Sequence, residues 1–298
     1  MQYVIFGVNG FIGSYLFERL KKDGFHVLGT SRRSQSEEKV VYYDIQQGNM
    51  DKIQFLIKER GRTAIICIAE PNIDKCYDNY RQAYDINVVG TKKLIQKLVK
   101  EGFQVIFFST DNVFDGIRGN YTEESETCAI NKYGGMKAEM EHYLLTNMPE
   151  VCIFRIPKVV STFRKKQNVF TEWENKIATG VVRCIKGNRI SFVCVEDIYQ
   201  ACLLASERRM HGIYNIVGDR AFSRAELARK FYSQLGIWDM DIQECDLGEF
   251  SFKDRRPLDI SMSNQKFKSE TGYRFLSMDT VIKLYCENRG NEPERKDI

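Results

Sequence analysis

Short apolar runs alternate with amphipathic segments over about the first 155 residues of the chain. The runs are rich in Val, Ile and Phe and predict strands buried on both faces, at residues 2–6, 26–30, 40–43, 64–68, 104–109 and 151–156. Between them, apolar residues recur at helical spacing, as Leu16 and Leu20 do in the first such segment. This alternation predicts an α/β fold in which helices cover both faces of a doubly wound parallel sheet.

The second half of the chain is less regular. The sequence predicts a strand at residues 188–195, a helix at 196–206, a strand at 212–217 and a helix after Ser223, which matches a capping box with Glu226. No internal repeat or low-complexity linker separates the two halves. We therefore predict a sheet domain over residues 1–160, to which segments around 188–235 return, and a smaller C-terminal lobe over most of residues 161–298.

Composition and charge narrow the class of protein. The chain has 298 residues, 43% of them hydrophobic and 28% charged, and its net charge of +4 is spread along it, so we expect no nucleic-acid partner. No apolar run approaches the ~20 residues that span a bilayer, so we expect no membrane segment. The first predicted strand begins at residue 2, so we expect no signal peptide.

Cysteine and histidine usage indicates the compartment and argues against a metal site. Nine scattered cysteines without a CxxC pair indicate free thiols in a reducing environment, so we expect a cytoplasmic protein without disulfides. His26, His142 and His211 are isolated in the sequence and lack metal-ligand spacing, so we predict no metal. Whether the chain forms a homodimer is left open.

A glycine-rich loop follows the first predicted strand and opens the first predicted helix. Its glycines are Gly7, Gly10 and Gly13, with Asn9, Phe11 and Ile12 between them. This arrangement suits a dinucleotide, because the glycines allow a tight turn, a close approach of the pyrophosphate and close packing of helix on strand. The phosphate charge would then meet the helix N-terminus. The context favours a cofactor loop over an ordinary strand–helix turn.

The residues at the end of the second strand indicate which dinucleotide binds. NAD-binding proteins usually place an acidic residue there, whereas this chain has Ser31, Arg32 and Arg33. A guanidinium at this point can pair with the extra phosphate of NADP, so we predict NADPH, with NAD as the alternative. Asp44 and Ile45, after the third strand, are placed to contact the adenine.

Tyr133 and Lys137 are the candidates for proton transfer. They are four residues apart, so on a helix both project from one face. A nearby ammonium and the charge of a nicotinamide ring both favour the phenolate, so we expect Lys137 and the cofactor together to lower the pKa of Tyr133 from its usual ~10. Such a phenol can exchange a proton with a carbonyl or alcohol oxygen during hydride transfer. A hydroxyl at the end of the fifth strand would complete the site, with Thr110 as first candidate and Ser109 as the alternative.

Several segments resemble the extended short-chain dehydrogenase/reductase family, and within it the dTDP-4-dehydrorhamnose reductases. The most specific is Ser-Thr-Asp-Asn-Val-Phe-Asp-Gly at residues 109–116, where those reductases carry Ser-Thr-Asp-Tyr-Val-Phe-Asp-Gly. The glycine loop and residues 85–91 also match, and the likeness weakens between residues 161 and 190. The resemblance implies a modified Rossmann sheet, NAD(P) and a nucleotide-sugar substrate held by the C-terminal lobe.

The resemblance also implies roles for individual residues. It makes Thr110, Tyr133 and Lys137 catalytic, with Tyr133 and Lys137 also contacting the cofactor. It places further residues beside the cofactor, namely Ile68, Ala69 and Asn87, and others beside the substrate, namely Asp111, Asn112 and Val113. The chain departs from the family pattern at four places, where it has Ala129, Met136, Asn112 and the run Ala69-Glu70-Pro71. These departures leave the identity of the sugar open.

Four functions compete. The first is an NADPH-dependent reductase of a 4-keto group on a nucleotide-linked deoxysugar. The second is an epimerase or dehydratase that retains NAD; dehydration needs a pair of acids, and Asn112 follows Asp111 here. The third is a non-catalytic regulatory subunit, because the family includes one that partners methionine adenosyltransferase. The fourth is an oxidoreductase of a carbonyl compound that is not a sugar.

Overall fold

The computed structural model describes residues 2–33, 39–48, 62–164 and 168–288. Within these residues the strands are, in chain order, β1 (Gln2–Phe6), β2 (His26–Ser31), β3 (Val40–Tyr42), β4 (Arg62–Ile66), β5 (Gln104–Thr110), β6 (Cys152–Ile156), β7 (Lys158–Val160), β8 (Val181–Ile185), β9 (Ile190–Cys194), β10 (Gly212–Asn215), β11 (Ala221–Phe222) and β12 (Asp241–Cys245). The six strands predicted for the first half are present, and no bound differs by more than two residues.

Helices connect and cover these strands. The α-helices of the described residues are α1 (Phe11–Lys22), α2 (Ile73–Asp78), α3 (Tyr80–Tyr84), α4 (Thr91–Lys100), α5 (Lys132–Asn147), α6 (Val169–Lys176), α7 (Val195–Glu207), α8 (Arg224–Gln234), α9 (Gln265–Thr271) and α10 (Met278–Glu287). A π-helical turn over Asp85–Gly90 joins α3 to α4. None of these helices is long and apolar enough to cross a membrane.

A parallel sheet of seven described strands organises the protein. Its order is β10-β6-β5-β4-β1-β2-β3, and every neighbouring pair is parallel. The predicted α/β fold with a Rossmann-like, doubly wound parallel sheet is confirmed. Parallel pairing brings the carboxyl ends of β1, β4 and β5 to one edge, so the glycine loop after β1 and the residues after β5 share that edge.

Smaller sheets form the lobe. β9 lies between β11 and β7, and β8 pairs with β12. The segment around residues 188–235 is divided, because β10 joins the large sheet while β9 and β11 belong to the lobe. α8 begins with the predicted capping box, in which Ser223 and Glu226 hydrogen-bond each other's backbone N–H. The lobe has its own core around Trp173, Phe231 and Tyr285.

Helix α5 buries two rows of side chains at once. One row, at four-residue spacing, is apolar and consists of Met136, Met140 and Leu144, which pack in the core on one face of the large sheet. The second row has the same spacing and consists of Tyr133, Lys137 and Glu141, all buried. Residues four apart stack on one helix face, so the polar row is a continuous stripe directed into the protein.

Candidate functional site

The turn after β1 has the geometry that its glycines allow. Gly7 has a φ of 99°, a conformation that an L side chain rarely adopts. Its N–H lies 3.2 Å from both the carbonyl oxygen and Oγ1 of Thr30, which fixes the turn to β2. A Cβ on Gly13 would lie 2.2 Å from the Gly7 carbonyl oxygen, so only glycine lets α1 approach the turn this closely.

The N-terminus of α1 faces this turn with no acidic side chain in its first turn. Gly10 is the N-cap residue, and no side chain caps the helix start. The amide of Asn9 donates to the Ser31 hydroxyl at 2.8 Å, and the N–H of Arg33 donates to the same oxygen at 2.9 Å. Ser31 therefore ties the glycine loop to the end of β2. The N-terminus of a helix without an acidic side chain in its first turn, as in α1, favours a negatively charged group.

A cleft of about 580 Å³ opens between this turn and the ends of β2, β3 and β4. It brings together most of the residues predicted to bind the cofactor, namely Gly7, Asn9, Gly10, Ser31, Arg32, Arg33, Asp44, Ile45, Ile68 and Ala69. Phe11, Ile12 and Gly13 instead form the first turn of α1. Four further lining residues were not predicted from the sequence, namely Thr30, Tyr42, Tyr43 and Cys67.

Asn87 does not line this cleft, but its side chain hydrogen-bonds the backbone next to the lining residue Ala69. Its side chain accepts from the Glu70 N–H at 2.8 Å and donates to the Glu70 carbonyl at 3.0 Å. Asn87 belongs to the π-helical turn, a feature that is frequent at functional sites. The amide therefore fixes the backbone directly after Ala69, so any effect of Asn87 on a cofactor in the cleft would act through this segment.

Thr110, Tyr133 and Lys137 meet at the carboxyl end of β5. All three are buried, and the Thr110 side chain lies close enough to the Tyr133 phenol to oppose the rise of its pKa. The Thr110 hydroxyl also contacts Asp111 Oδ1 at 3.1 Å. The Lys137 ammonium donates to the Phe108 carbonyl oxygen at 2.7 Å. A phenol, a hydroxyl and an ammonium are therefore grouped beside the edge of the sheet at which the glycine loop lies.

Ser109, the alternative to Thr110, points elsewhere. The Ser109 hydroxyl donates to Glu141 Oε1 at 2.5 Å and is buried there. The geometry thus favours Thr110 as the hydroxyl beside the phenol.

The ionisation of the site differs from the sequence-based expectation. Burial raises the pKa of Tyr133 well above its usual value, and the nearby charge of Asp111 raises it further. The protein's own groups therefore raise this pKa, and the Lys137 ammonium is directed to the backbone of β5. A lowering of the pKa by Lys137 together with a nicotinamide ring stays a prediction. Burial lowers the pKa of Lys137 to about 8, while the charge of Glu141 opposes that shift. At neutral pH the phenol is therefore protonated.

The residues predicted to contact substrate form a short turn after β5. Asp111 is buried, and burial raises the pKa of its carboxyl to about 6 despite hydrogen bonds from Thr110 and Asn112. The Asn112 amide donates to Asp111 Oδ1 at 2.9 Å. Val113 is fully buried and packs against Phe114 in a small core, so its side chain is directed away from solvent.

Two further features around this turn were not predicted. Lys158 begins β7, where the chain crosses from the large sheet into the lobe. It is exposed, yet the surrounding protein lowers its pKa, and the charge of Asp111 opposes that shift. No local sequence signal links Lys158 to Asp111, because their proximity arises from the pairing of β5 with β6.

The second feature is a segment at residues 253–256 that joins α2 to the start of α5. Asp74 accepts hydrogen bonds from the Lys253 N–H at 3.0 Å and from Arg256 Nη2 at 2.8 Å. Asp254 Oδ2 accepts from the Lys132 N–H at 2.8 Å. The C-terminal lobe therefore contacts the helix that carries Tyr133.

The chain matches one protein family over most of its length and is similar to two kinds of known protein. The family model described as the RmlD substrate binding domain matches residues 1–289. The chain is 25% identical over 253 residues to a dTDP-4-dehydrorhamnose reductase of Mycobacterium tuberculosis (strain ATCC 25618 / H37Rv), covering 83% of this chain and 80% of that protein. It is 24% identical over 247 residues to the methionine adenosyltransferase 2 subunit beta of Xenopus tropicalis, covering 75% of this chain and 69% of that protein.

Among solved structures, the dTDP-4-dehydrorhamnose reductase from Bacillus anthracis str. Ames in complex with NADP has a TM-score of 0.83 to this chain. The two share 20% sequence identity, and the alignment covers 95% of this chain and 98% of that one. At this level of identity the likeness establishes the fold, and the chemistry has to be argued from the residues of this chain.

Proposed function

The chain belongs to the RmlD substrate binding domain family, and from that membership and the site geometry we propose that it is an NADPH-dependent reductase of a 4-keto group on a nucleotide-linked sugar. The observation that carries the proposal is the contact of Tyr133 with Thr110, with Lys137 one helical turn away, at the sheet edge that also carries the glycine loop. In open α/β sheets, ligands bind at this edge.

NADPH fits the residues that line the cleft. The first turn of α1 presents backbone N–H groups and no acidic side chain to a pyrophosphate. A Cβ on Gly7 would lie 3.0 Å from Ile68 Cγ1, so the glycine keeps the turn open beside β4. Arg32 and Arg33 are exposed and line the same cleft, where a guanidinium can pair with a ribose phosphate.

Tyr133 is proposed as the proton donor. When bound, NADPH supplies the hydride. Because burial keeps the phenol protonated, Tyr133 can give its proton to the carbonyl oxygen of the substrate as the carbonyl becomes an alcohol. Thr110, in contact with the phenol, can hydrogen-bond the same oxygen. The charge of Lys137 would stabilise the phenolate that remains.

Asn112 favours reduction over dehydration. Elimination needs an acid and a base beside the reacting carbon, and the residue after Asp111 is an amide rather than a second carboxylic acid. The Asn112 amide is engaged, because it donates to Asp111 and accepts from Asn131 Nδ2 at 3.1 Å. Because its side chain is an amide, Asn112 cannot supply the second titrating group.

The test is a panel of 4-keto nucleotide sugars added to the purified protein with NADPH. Stoichiometric oxidation of NADPH with at least one member, and its loss in the Tyr133→Phe variant, is the expected result. Conversion between sugar epimers by protein that holds NAD, with no net oxidation, would assign the epimerase function instead. Turnover of carbonyl compounds that are not sugars, with none of the panel, would also overturn the proposal.

A regulatory subunit is the second candidate, because a relative of comparable identity is named methionine adenosyltransferase 2 subunit beta. In that case the protein would bind NADPH but turn over no member of the panel. Wild type and the Tyr133→Phe variant would then be indistinguishable in every assay of NADPH oxidation. The buried contact of Tyr133 with Thr110 favours the enzyme.

A further inference from the structure

Two consecutive residues of β5 anchor helix α5. The Phe108 carbonyl oxygen accepts from Lys137 Nζ at 2.7 Å, and the Ser109 hydroxyl donates to Glu141 Oε1 at 2.5 Å. The next residue of the strand is Thr110, which contacts Tyr133. Three successive residues of β5 therefore each contact one member of the buried polar row of α5.

Arg155 on β6 pairs with Glu141 in the interior. Its Nε lies 3.0 and 3.1 Å from the two carboxylate oxygens of Glu141, and its Nη2 lies 2.7 Å from Oε2. Each residue is only 2% exposed. Arg155 Nη1 also reaches the carbonyl oxygens of Thr122 and Glu123 at 3.4 Å. The pair is thus hydrogen-bonded on both sides, which a buried ion pair requires.

We propose that Glu141 is a positioning residue, which fixes the height of α5 against β5, and hence the contact of Tyr133 with Thr110, and which holds the positive charge on Lys137. This inference rests on the proposed function for its kinetic consequence but not for its structural one. Glu141 is two helical turns from Tyr133 and touches none of the residues proposed to react, so it acts through Lys137 and Ser109.

The groups that face Lys137 support this role. Its environment comprises Glu141 on its own helix, Cys76 on α2, Cys67 after β4, the Phe107 ring and the Phe108 carbonyl. Burial raises the pKa of the Cys76 thiol to about 11 and that of Cys67 further, so both are neutral at physiological pH. Glu141 is therefore the carboxylate that balances the ammonium against its desolvation within the described structure.

A measurement without substrate tests whether Glu141 stabilises the positive charge of Lys137. The folded pKa of Lys137 is about 8, below the 10.5 of an exposed lysine, so the unfolded chain binds more protons between those values. The contribution of Lys137 to unfolding free energy therefore rises with pH over that window. Loss of the Glu141 charge lowers the folded pKa, so the rise should begin about one pH unit lower.

Double-mutant cycles isolate this contribution. Unfolding in urea is measured against pH for wild type, Glu141→Gln and the pair Glu141→Gln/Arg155→Gln, each with and without Lys137→Met. The pair removes the carboxylate without leaving an unpaired guanidinium, and it replaces Glu141→Gln if that variant fails to fold. Ser109→Ala is the matched control, because it removes the hydrogen bond to Glu141 and keeps the charge.

In Glu141→Gln, or in the pair, the contribution of Lys137 to unfolding free energy should begin to rise at a lower pH than in wild type. In Ser109→Ala it should begin to rise at the same pH as in wild type. On a substrate identified by the panel, the pair should also lower kcat roughly 10-fold or more at little cost in KM, with the alkaline limb of kcat moved to lower pH. An onset in the pair equal to that of wild type would overturn the proposal. Because this readout uses no substrate, failure of the panel alone would overturn the reductase and leave the positioning role standing.

Discussion

Two neighbouring glycines of α5, Gly134 and Gly135, should respond to alanine in opposite ways. A Cβ on Gly134 would lie 1.9 Å from the Asn112 carbonyl oxygen and 3.1 Å from Ala129 Cβ. The first contact is with backbone, so no rotamer change relieves it. A Cβ on Gly135 would meet nothing within 4 Å. The same substitution therefore separates the effect of close packing from that of helix propensity.

The magnitude follows from the distance. To bring the contact of Gly134→Ala from 1.9 to 3.0 Å, the start of α5 and the turn after Thr110 must separate by about 1.1 Å. Overpacking of this kind costs about 1–3 kcal/mol of stability. A displacement of about 1 Å between catalytic groups can cost roughly 10²-fold in rate. Gly135→Ala should instead gain up to about 1 kcal/mol, because alanine is the better helix former.

Urea unfolding and NADPH oxidation measure the two effects. Gly134→Ala should unfold at lower urea than wild type and turn over substrate roughly 10²-fold more slowly. NADPH affinity should change less than turnover, because residues 112 and 134 do not line the cleft at the glycine loop. Gly135→Ala should unfold at equal or higher urea with wild-type turnover. If the two variants had the same midpoint and the same rate, the close approach of α5 to residue 112 would be refuted.

Three further predictions concern charge and proton transfer. Replacing Arg32 and Arg33 by alanine should weaken NADPH binding by on the order of a few kcal/mol and leave NADH binding unchanged, whereas equal weakening of both in calorimetry would exclude a phosphate contact. Tyr133→Phe should lower turnover roughly 10²–10⁴-fold at near wild-type NADPH affinity, and retained turnover would exclude this phenol as the donor. The pKa of Asp111 is raised from its usual 3.8 to about 6, so the folded state holds this proton more tightly than the unfolded chain. Relative to Asp111→Asn, wild-type stability should therefore fall as pH rises across that window, and parallel urea midpoints would contradict the burial of this charge.

The sequence predicted the large sheet and the glycine loop because their signals are local. A strand buried on both faces is a continuous apolar run, as in β1 and β5, and its bounds can be located within two residues. The three glycines and the helix that follows them are contiguous. The pair of arginines after β2 is also contiguous with its strand, so the cleft that they share with the loop follows from the strand order alone.

The environment of the reacting groups could not be predicted, because it depends on residues far apart in sequence. Spacing placed Tyr133 and Lys137 on one helix face but gave no measure of their burial, which determines both pKa values. Without that information the ammonium was expected to act on the phenol, whereas it bonds the backbone of β5. Likewise, Ser109 and Thr110 are equivalent by sequence, and only the structure shows that Ser109 bonds Glu141 while Thr110 lies beside Tyr133.

The proposed cofactor-binding and substrate-binding parts of the site differ in how far apart their residues lie in the sequence. This difference affects how substitutions should change cofactor and substrate specificity. The proposed cofactor contacts come from loops that directly follow β1, β2 and β3, so we expect a change of one or two residues to alter the choice of dinucleotide. The proposed substrate contacts lie in the turn after β5, near which Lys158 and residues 253–256 come from distant parts of the chain. Because the lobe also contacts the start of α5, a substitution there changes the position of Tyr133 as well as the shape of the cleft. Substitutions in the lobe should therefore alter kcat and KM together, whereas Arg32 and Arg33 should affect cofactor affinity alone.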